Sequence, residues 1–501
     1  MALRLRQTNL DVKGELTETK DRTGMAGKAL NKANLMALGT ETLAELLLET
    51  VKGDAARQRR VRLVLAAGQG AEAVAVDVRK RFATIRKARS YISRKKQRTL
   101  AKELSELTEL IETRIAESAP DLAFDLLWEQ LHLARGILER TDDAWSAIGD
   151  VMHQAMEAVA RLSAKLTKTP EDLAEDVFDA VVGDVFGTFE HAVRSTSDAL
   201  EASGMARLKT LAREAAEAPA PEAEIALYAV LTGASRSEAR AKAARQRRIH
   251  LLLQDLADLE GDVDAWLAQY TPQQLTAETV APAAADRLLQ AGRAEEALAL
   301  VEAALERREG STRDRPDLDE AHFACLEALG RKDDLIAALW ERFETRLCPA
   351  ALQLHLKLLP DFEDIEAEDR ARAHILGYHP IQSALLYCQR APDLSLAAQL
   401  VLARYDEIDG EAYELLSPLA DDLSAHHPLA AVLLWRAMID FALRRGRTGR
   451  YGHAARHLMA CTTADMSIED YAGHPSHYAY VEGLRRNYGR KAAFWERLDT
   501  E

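Results

Sequence analysis

The sequence predicts an all-α fold made of helical hairpin repeats, an α-solenoid of the tetratricopeptide or HEAT kind in two modules. Three observations predict it. The stretch Ala284 to Leu305 reads AADRLLQAGRAEEALALVEAAL. An apolar helix end, Leu288 and Leu289, meets a Gly292-Arg293 turn, and Ala294, Ala297, Leu298, Val301, Ala304 and Leu305 follow at helical steps. That is one apolar stripe at helical period, with Gly292 where a helix end needs a residue tolerant of left-handed backbone. Such a pair cannot bury its stripe alone and must stack on neighbours. The turn then recurs as Gly330-Arg331, 38 residues on, and as Gly446-Arg447 a further 116 on, with Asp369-Arg370 and Gly410-Glu411 near the missing positions. This spacing exceeds the ~34 residues of tetratricopeptide repeats and approaches the ~40 of HEAT-like ones. Lastly, Gly (25) and Pro (14) are few among 501 residues, and runs free of both, such as Ala71 to Ala119, are long. Such runs favour helix, and alternating strand patterns are scarce.

Taken in order, residues 1–31 are mixed in charge and poorly periodic, and are expected to form a mostly disordered tail. Order is expected from about Asn34. Leu35, Leu38, Leu43, Leu46, Leu47 and Leu48 mark an opening helix or helix pair, with Thr42 and Glu45 spaced for a capping box. Ala55 to Ala67 reads as a helix closed by Gly68 and Gly70. Ala71 to Ala119 reads as two helices with a turn near Ser90 to Ser93. Pro120 opens a helix to Arg140 whose stripe is Leu122, Leu126, Leu127, Leu131, Ala134, Ile137 and Leu138. Ile148 to Leu166 follows, then Leu173 to Thr196, opened by Pro170 and interrupted by Gly183 and Gly187. The APAPE run, 218–222, is the expected linker between an N-terminal module, 32–217, and a C-terminal repeat module, 223–501. In the latter, Ala223 to Leu231 and Ser237 to Leu259 read as helices before Gly261 breaks the chain.

The formal charge is −15, which argues against a protein that coats nucleic acid with its whole surface. Cys325, Cys348, Cys388 and Cys461 lie 23, 40 and 73 residues apart, without metal-site or redox-motif spacing, and read as small buried hydrophobes in a reducing compartment. No signal-peptide core opens the chain and no run reaches transmembrane length, so a cytoplasmic protein is expected, without a membrane among its partners.

The sharpest electrostatic feature is a run of ten cations without an acid: Arg79, Lys80, Arg81, Arg86, Lys87, Arg89, Arg94, Lys95, Lys96 and Arg98. Phe82, Ile85, Ala88 and Ile92 give it an apolar stripe that lacks Trp and a Leu run, which disfavours a membrane surface. Such a surface suits an acidic partner or phosphates. Alternatively, Glu103, Glu106, Glu109, Glu112 and Glu117 of the next helix neutralise it internally. A second basic stretch contains Arg444, Arg445, Arg447 and Arg450 beside Tyr451, with Arg485 and Arg486 further on. Interleaved aromatics and cations suit single strands, and aromatics at helical spacing equally suit a core.

His453 and His457 share a helix face, with His474 and His477 nearby, but no carboxylate completes a zinc spacing. Asp142, Asp143 and Asp150 suit helix capping better than a divalent ion. Gly68-Gln69-Gly70 has no strand before it and reads as a helix stop rather than a phosphate loop. Nucleophile-elbow, phosphate-loop and metalloprotease motifs are absent, so no catalytic residue, metal or cofactor is expected.

Three stretches together resemble an uncharacterised bacterial family, a domain of unknown function. They are Leu38 to Glu49 (LGTETLAELLLE), Leu138 to Val151 (LERTDDAWSAIGDV), and a C-terminal block. That block runs through Ala442, Gly446-Arg447, Tyr451, Ala454-Ala455, His457-Leu458, Tyr480 and Arg485 to Trp495. The family is related to the helices that follow the zinc finger in some SWIM-finger proteins. The finger's Cys-x-Cys with a later Cys-x-His is absent here, so its nucleic-acid role does not carry over. The resemblance implies a helical repeat fold and no known activity.

The expected function is a non-enzymatic scaffold or adaptor for a partner protein. The alternative is nucleic-acid binding through the stretches 79–98 and 444–491. A third reading, an enzyme of unfamiliar kind, would show itself as buried, convergent polar side chains.

Overall fold

The computed structural model describes residues 30–54, 57–59, 61–62, 65, 70–142, 146–232, 234–307 and 313–498, and among these the protein is all-helical, without a strand. Most of the expected tail, Gly68, Gln69 and Asp143 lie outside the described residues, and the helix expected over 55–67 is described only in part.

The chain divides into two compact units, one ending at Glu260 and the other beginning at Gly261. In the first, α1 (Lys32–Met36) and α2 (Thr40–Val51) open the described chain. The expected capping box does not form: Gly39, at φ 81°, caps α2, and Thr42 lies inside the helix. Of this helix only Val51 is buried.

The long run after Gly70 splits as expected, into α3 (Ala71–Lys87) and α4 (Arg94–Arg114) with a turn between. Then come α5 (Pro120–Leu138), α6 (Ala147–Leu162), α7 (Pro170–Gly183), α8 (Ala192–Ser195), α9 (Ser197–Glu217), α10 (Glu222–Thr232) and α11 (Ser237–Glu260). Pro120 and Pro170 occupy first-turn positions, where a missing amide hydrogen costs nothing. The stripe Leu126, Leu127, Leu131, Ala134 and Ile137 is fully buried, and Trp128 packs on Phe124 and Phe189 at 5.0 and 5.1 Å. Each such leucine contributes about 2 kcal/mol of burial. Buried Gln130 bridges helices by donating to Thr108 Oγ1 at 2.8 Å. Helix α9 packs on α7 with Gly204 at the contact, where a Cβ would lie 2.7 Å from Pro170 O. Ile249, Leu252 and Leu256 of α11 join this same core, so the 218–222 segment connects two helices within the first unit.

The second unit runs through α12 (Val263–Leu267), α13 (Pro272–Leu275), α14 (Ala281–Gln290), α15 (Ala294–Arg307), α16 (Pro316–Ala328), α17 (Lys332–Arg346), α18 (Pro349–Leu358) and α19 (Glu363–Gly377). It continues with α20 (Ile381–Arg390), α21 (Leu394–Ala403), α22 (Tyr413–Leu423), α23 (Pro428–Arg444), α24 (Tyr451–Asp465), α25 (His477–Tyr488) and α26 (Ala492–Leu498). From α14 onward most successive helices pack on one another, and α14 reaches α16, α19 reaches α21, and α21 reaches α23. Ala297, Leu298, Val301 and Ala304 are buried, as their spacing requires.

The three Gly-Arg turns share one backbone device. Gly292, Gly330 and Gly446 all have positive φ, at 74°, 66° and 62°. Each glycine amide reaches back to close the helix end, and each following arginine amide bonds a carbonyl five residues back: Arg293 to Leu288, Arg331 to Leu326 and Arg447 to Ala442, at 2.8, 2.9 and 3.0 Å. In the first two copies the guanidinium also pairs with an acid in the first turn of the next helix, Arg293 with Glu296 and Arg331 with Asp334, both at 2.7 Å. In the third that position is Arg450, and the pairing is lost. Asp369-Arg370 is not a turn of this series, because it lies inside α19.

Candidate functional site

The run of ten cations separates into two groups. On α3, Arg81 makes a two-pronged bond to Glu103, with Nε and Nη2 donating at 2.8 and 2.7 Å. Arg86 and Arg79 share Glu129 of α5, at 2.8 and 3.8 Å, and Lys80 pairs with Asp77 at 3.0 Å. Internal neutralisation therefore operates, through Glu103 as expected and through Glu129, which sequence spacing did not suggest. Glu112 pairs instead with Arg161 of α6.

The other group gathers at the α3–α4 turn. Lys87, Arg89, Lys95, Lys96 and Arg98 are exposed, and none has an ion-pair partner among the described residues. Arg94 is exposed beside them. The turn is held in place. Ile92 is buried beneath it and donates its amide to Arg140 O at 2.9 Å, while Arg140 Nη1 donates to Ser90 O at 3.3 Å. Thr141 donates to Ile92 O at 3.2 Å. Tyr91 stands at 67% exposure amid these cations. Helix α4 starts with no acid in its first turn and three cations there, against its own dipole. That arrangement opposes the helix dipole and costs some stability.

The second basic stretch is dispersed. Tyr451 is not a contact residue: it is buried at 3% exposure, its ring against Phe494, and its hydroxyl accepts from Lys491 Nζ at 3.3 Å. A helix-spaced aromatic has been taken into the core. Arg450 lies over the Tyr413 ring at 4.2 Å, and Arg447 reaches Glu411 at 3.8 Å. Arg485 approaches Glu482 at 3.7 Å and the Trp495 ring at 5.9 Å. Arg444, Arg445 and Arg486 are exposed. His453 and His457 share a face as expected, whereas His477 bonds Thr462 Oγ1 at 3.1 Å and His474 packs edge-on to Tyr405. Among the described residues no group of three or more His, Cys, Asp or Glu side chains is placed to hold a metal ion.

With this geometry established, comparison with known proteins places the chain. A family model described as a family of unknown function, DUF6880, matches residues 25–497. The chain belongs to this family. No curated protein matches it. One solved structure that it is similar to is a circular tandem repeat protein with novel repeat topology and enhanced subunit contact surfaces. The two share 16% identity over 93% of this chain and 95% of that one, with a TM-score of 0.17. At that score the likeness carries no argument about fold or function.

Sequence reasoning missed one constellation in this DUF6880 chain. Arg436, in the middle of apolar α23, is 1% exposed. Its guanidinium lies over the rings of Tyr480 and Tyr471, at 4.4 and 5.2 Å, and Nη1 donates to Pro475 O at 2.7 Å. Its Nε and Nη2 have no hydrogen-bond partner among the described residues. Asp440, one turn on, accepts from Tyr480 at 2.9 Å. Tyr471 donates to Asp465, and burial pushes the Cys461 thiol up to about 12. Burial raises the Asp440 carboxyl, against the opposing pull of Tyr480, Arg436 and Arg444. An arginine in the apolar middle of PLAAVLLWRAMIDFALR, with an aspartate four residues on, was the signal available. These groups mostly bond one another and staple the last helices to α23.

Proposed function

We propose that the protein is a non-enzymatic helical-repeat scaffold that docks an acidic partner protein on the turn between α3 and α4. The observation that carries this is the set Lys87, Arg89, Lys95, Lys96 and Arg98: exposed, anchored from below, and without ion-pair partners among the described residues. A repeat array is supported by the shared Gly-Arg turns and by helices that pack on their successors. Kinship with helices that follow SWIM fingers belongs to the same reading and, without the finger, supplies a scaffold only.

The second reading, a nucleic-acid surface, is favoured by Tyr91, an exposed ring among cations where a base can stack. The net charge of −15 ranks it second, since the rest of the molecule repels a long polyanion while a short acidic protein segment needs only the local patch. Fluorescence anisotropy with a glutamate-rich peptide and a single-stranded oligonucleotide, at low and moderate salt, separates the two. Peptide binding that disappears in a Lys87→Glu, Arg89→Glu, Lys95→Glu, Lys96→Glu, Arg98→Glu protein is the expected result. Tighter binding of the oligonucleotide, lost in the same variant, moves the assignment to nucleic acid. Retention of neither at low salt removes both.

A further inference from the structure

In the second unit, α22, α23 and the start of α24 enclose a cleft of about 150 Å³. A void of roughly this size accepts a benzene-sized guest. Its polar lining is Tyr413, Ser417, Arg450, His453 and His457. Met438 and Ala442 line its apolar part. Gly410 lets the loop before α22 press against α23, since a Cβ there would lie 2.0 Å from Ala437 O.

Three features of this cleft converge. No lining side chain among the described residues is a carboxylate, in a chain with 80 acidic residues. Arg450 is held by the rings of Tyr413 and Phe441, at 4.2 and 5.8 Å, and has no ion pair among the described residues. That freedom traces to the third Gly-Arg turn, where Arg450 stands in the position that carries an acid in the other two. Finally, His457 Nδ1 is buried without a hydrogen-bond partner among the described residues. Its neighbours His453 and Arg456 are themselves basic, with Arg456 donating to His453 Nδ1 at 3.0 Å. A site lined by a guanidinium, imidazoles and two hydroxyls, with a carboxylate met only where the Tyr413 hydroxyl donates to Glu414 at 3.4 Å among the described residues, matches the donor set that holds an oxyanion.

We infer that this cleft binds a small oxyanion, a phosphate or carboxylate group, on Arg450 and His457. Two sources fit this chemistry, and titration calorimetry of the full chain distinguishes them, with inorganic phosphate in one arm, acetate in another and chloride as the control. Saturable heat with phosphate alone assigns a phosphate, with acetate alone a carboxylate, and with both a general oxyanion site. Arg450→Gln is expected to weaken binding tenfold or more. Gly449→Leu, at an open position on the cleft wall, is expected to abolish it with the unfolding midpoint unchanged. The His457 imidazole gives a second readout by nuclear magnetic resonance, because its pKa, held at about 4 chiefly by burial, rises when the anion binds. No saturable heat above chloride in either arm, or equal binding by Gly449→Leu, overturns the inference.

Discussion

The two basic stretches are both rich in cations and differ in how those cations are packed. At the α3–α4 turn the cations face solvent on an anchored backbone, and most have no partner. Near the C-terminus, Arg450 lies over a ring and Tyr451 is taken into the core, while Arg436, just before that stretch, is fully buried against two rings. Clustering of charge along a sequence therefore does not distinguish a docking face from a structural staple. What distinguishes them is whether an acid or an aromatic ring waits across the packing interface. Substitutions should separate the two regions accordingly, with the exposed cations of the first losing binding at constant stability and the buried residues at the second losing stability.

The largest effect is expected at Arg436. Arg436→Ala removes a fully buried side chain and its ring contacts and should cost about 3 kcal/mol in chemical denaturation. A change below about 0.5 kcal/mol would place Arg436 outside the load of the fold. Reversing the five cations at the α3–α4 turn should weaken acidic-partner binding by about a hundredfold, or about 2.7 kcal/mol, with folding stability unchanged or slightly raised. The slight rise would come from relieving the start of α4 of charges that oppose its dipole. Tyr480→Phe leaves the Asp440 carboxyl without its donor and should cost about 2 kcal/mol. Gly330→Ala, at φ 66°, should cost about 1 kcal/mol.

The smallest effect is a pH dependence. Burial holds His457 at about 4 in the folded protein, below the ordinary histidine value of 6.5. The unfolded chain thus binds more protons below that value, so this contribution is fully present above about pH 6.5 and fades as pH falls toward 4. Burial lowers His132, His250, His322 and His477 as well, while Asp255 and Asp440, both raised, act in the opposite direction. The difference between wild type and His457→Gln isolates one group, and urea midpoints from pH 7 to pH 4 should converge as pH falls.

Much of the fold was legible because its signals are local. The stripe from Ala294 to Leu305, the turn at Ser90 to Ser93 and the positive-φ glycines of the Gly-Arg turns each depend on residues within a few positions of one another. The partition of charge was not legible. Arg86 finds Glu129 43 positions away, and Tyr413 meets Arg450 only because α22 and α24 pack on the two sides of α23. Asp369-Arg370 resembled a turn only by its spacing, and nothing local interrupts the helix through it. Arg436 was legible in principle, as a charge set among apolar residues in the middle of its helix with Asp440 one turn on.

Docking at the α3–α4 turn requires that a partner be lost when its cations are reversed. Affinity purification from the native host, run in parallel with wild type and with the five-residue charge reversal, tests that directly. The expected result is one acidic protein in stoichiometric amount on the wild type and absent from the reversal variant, with equal melting temperatures for the two baits. The same stoichiometric partner on both baits, or none on the wild type, would contradict it.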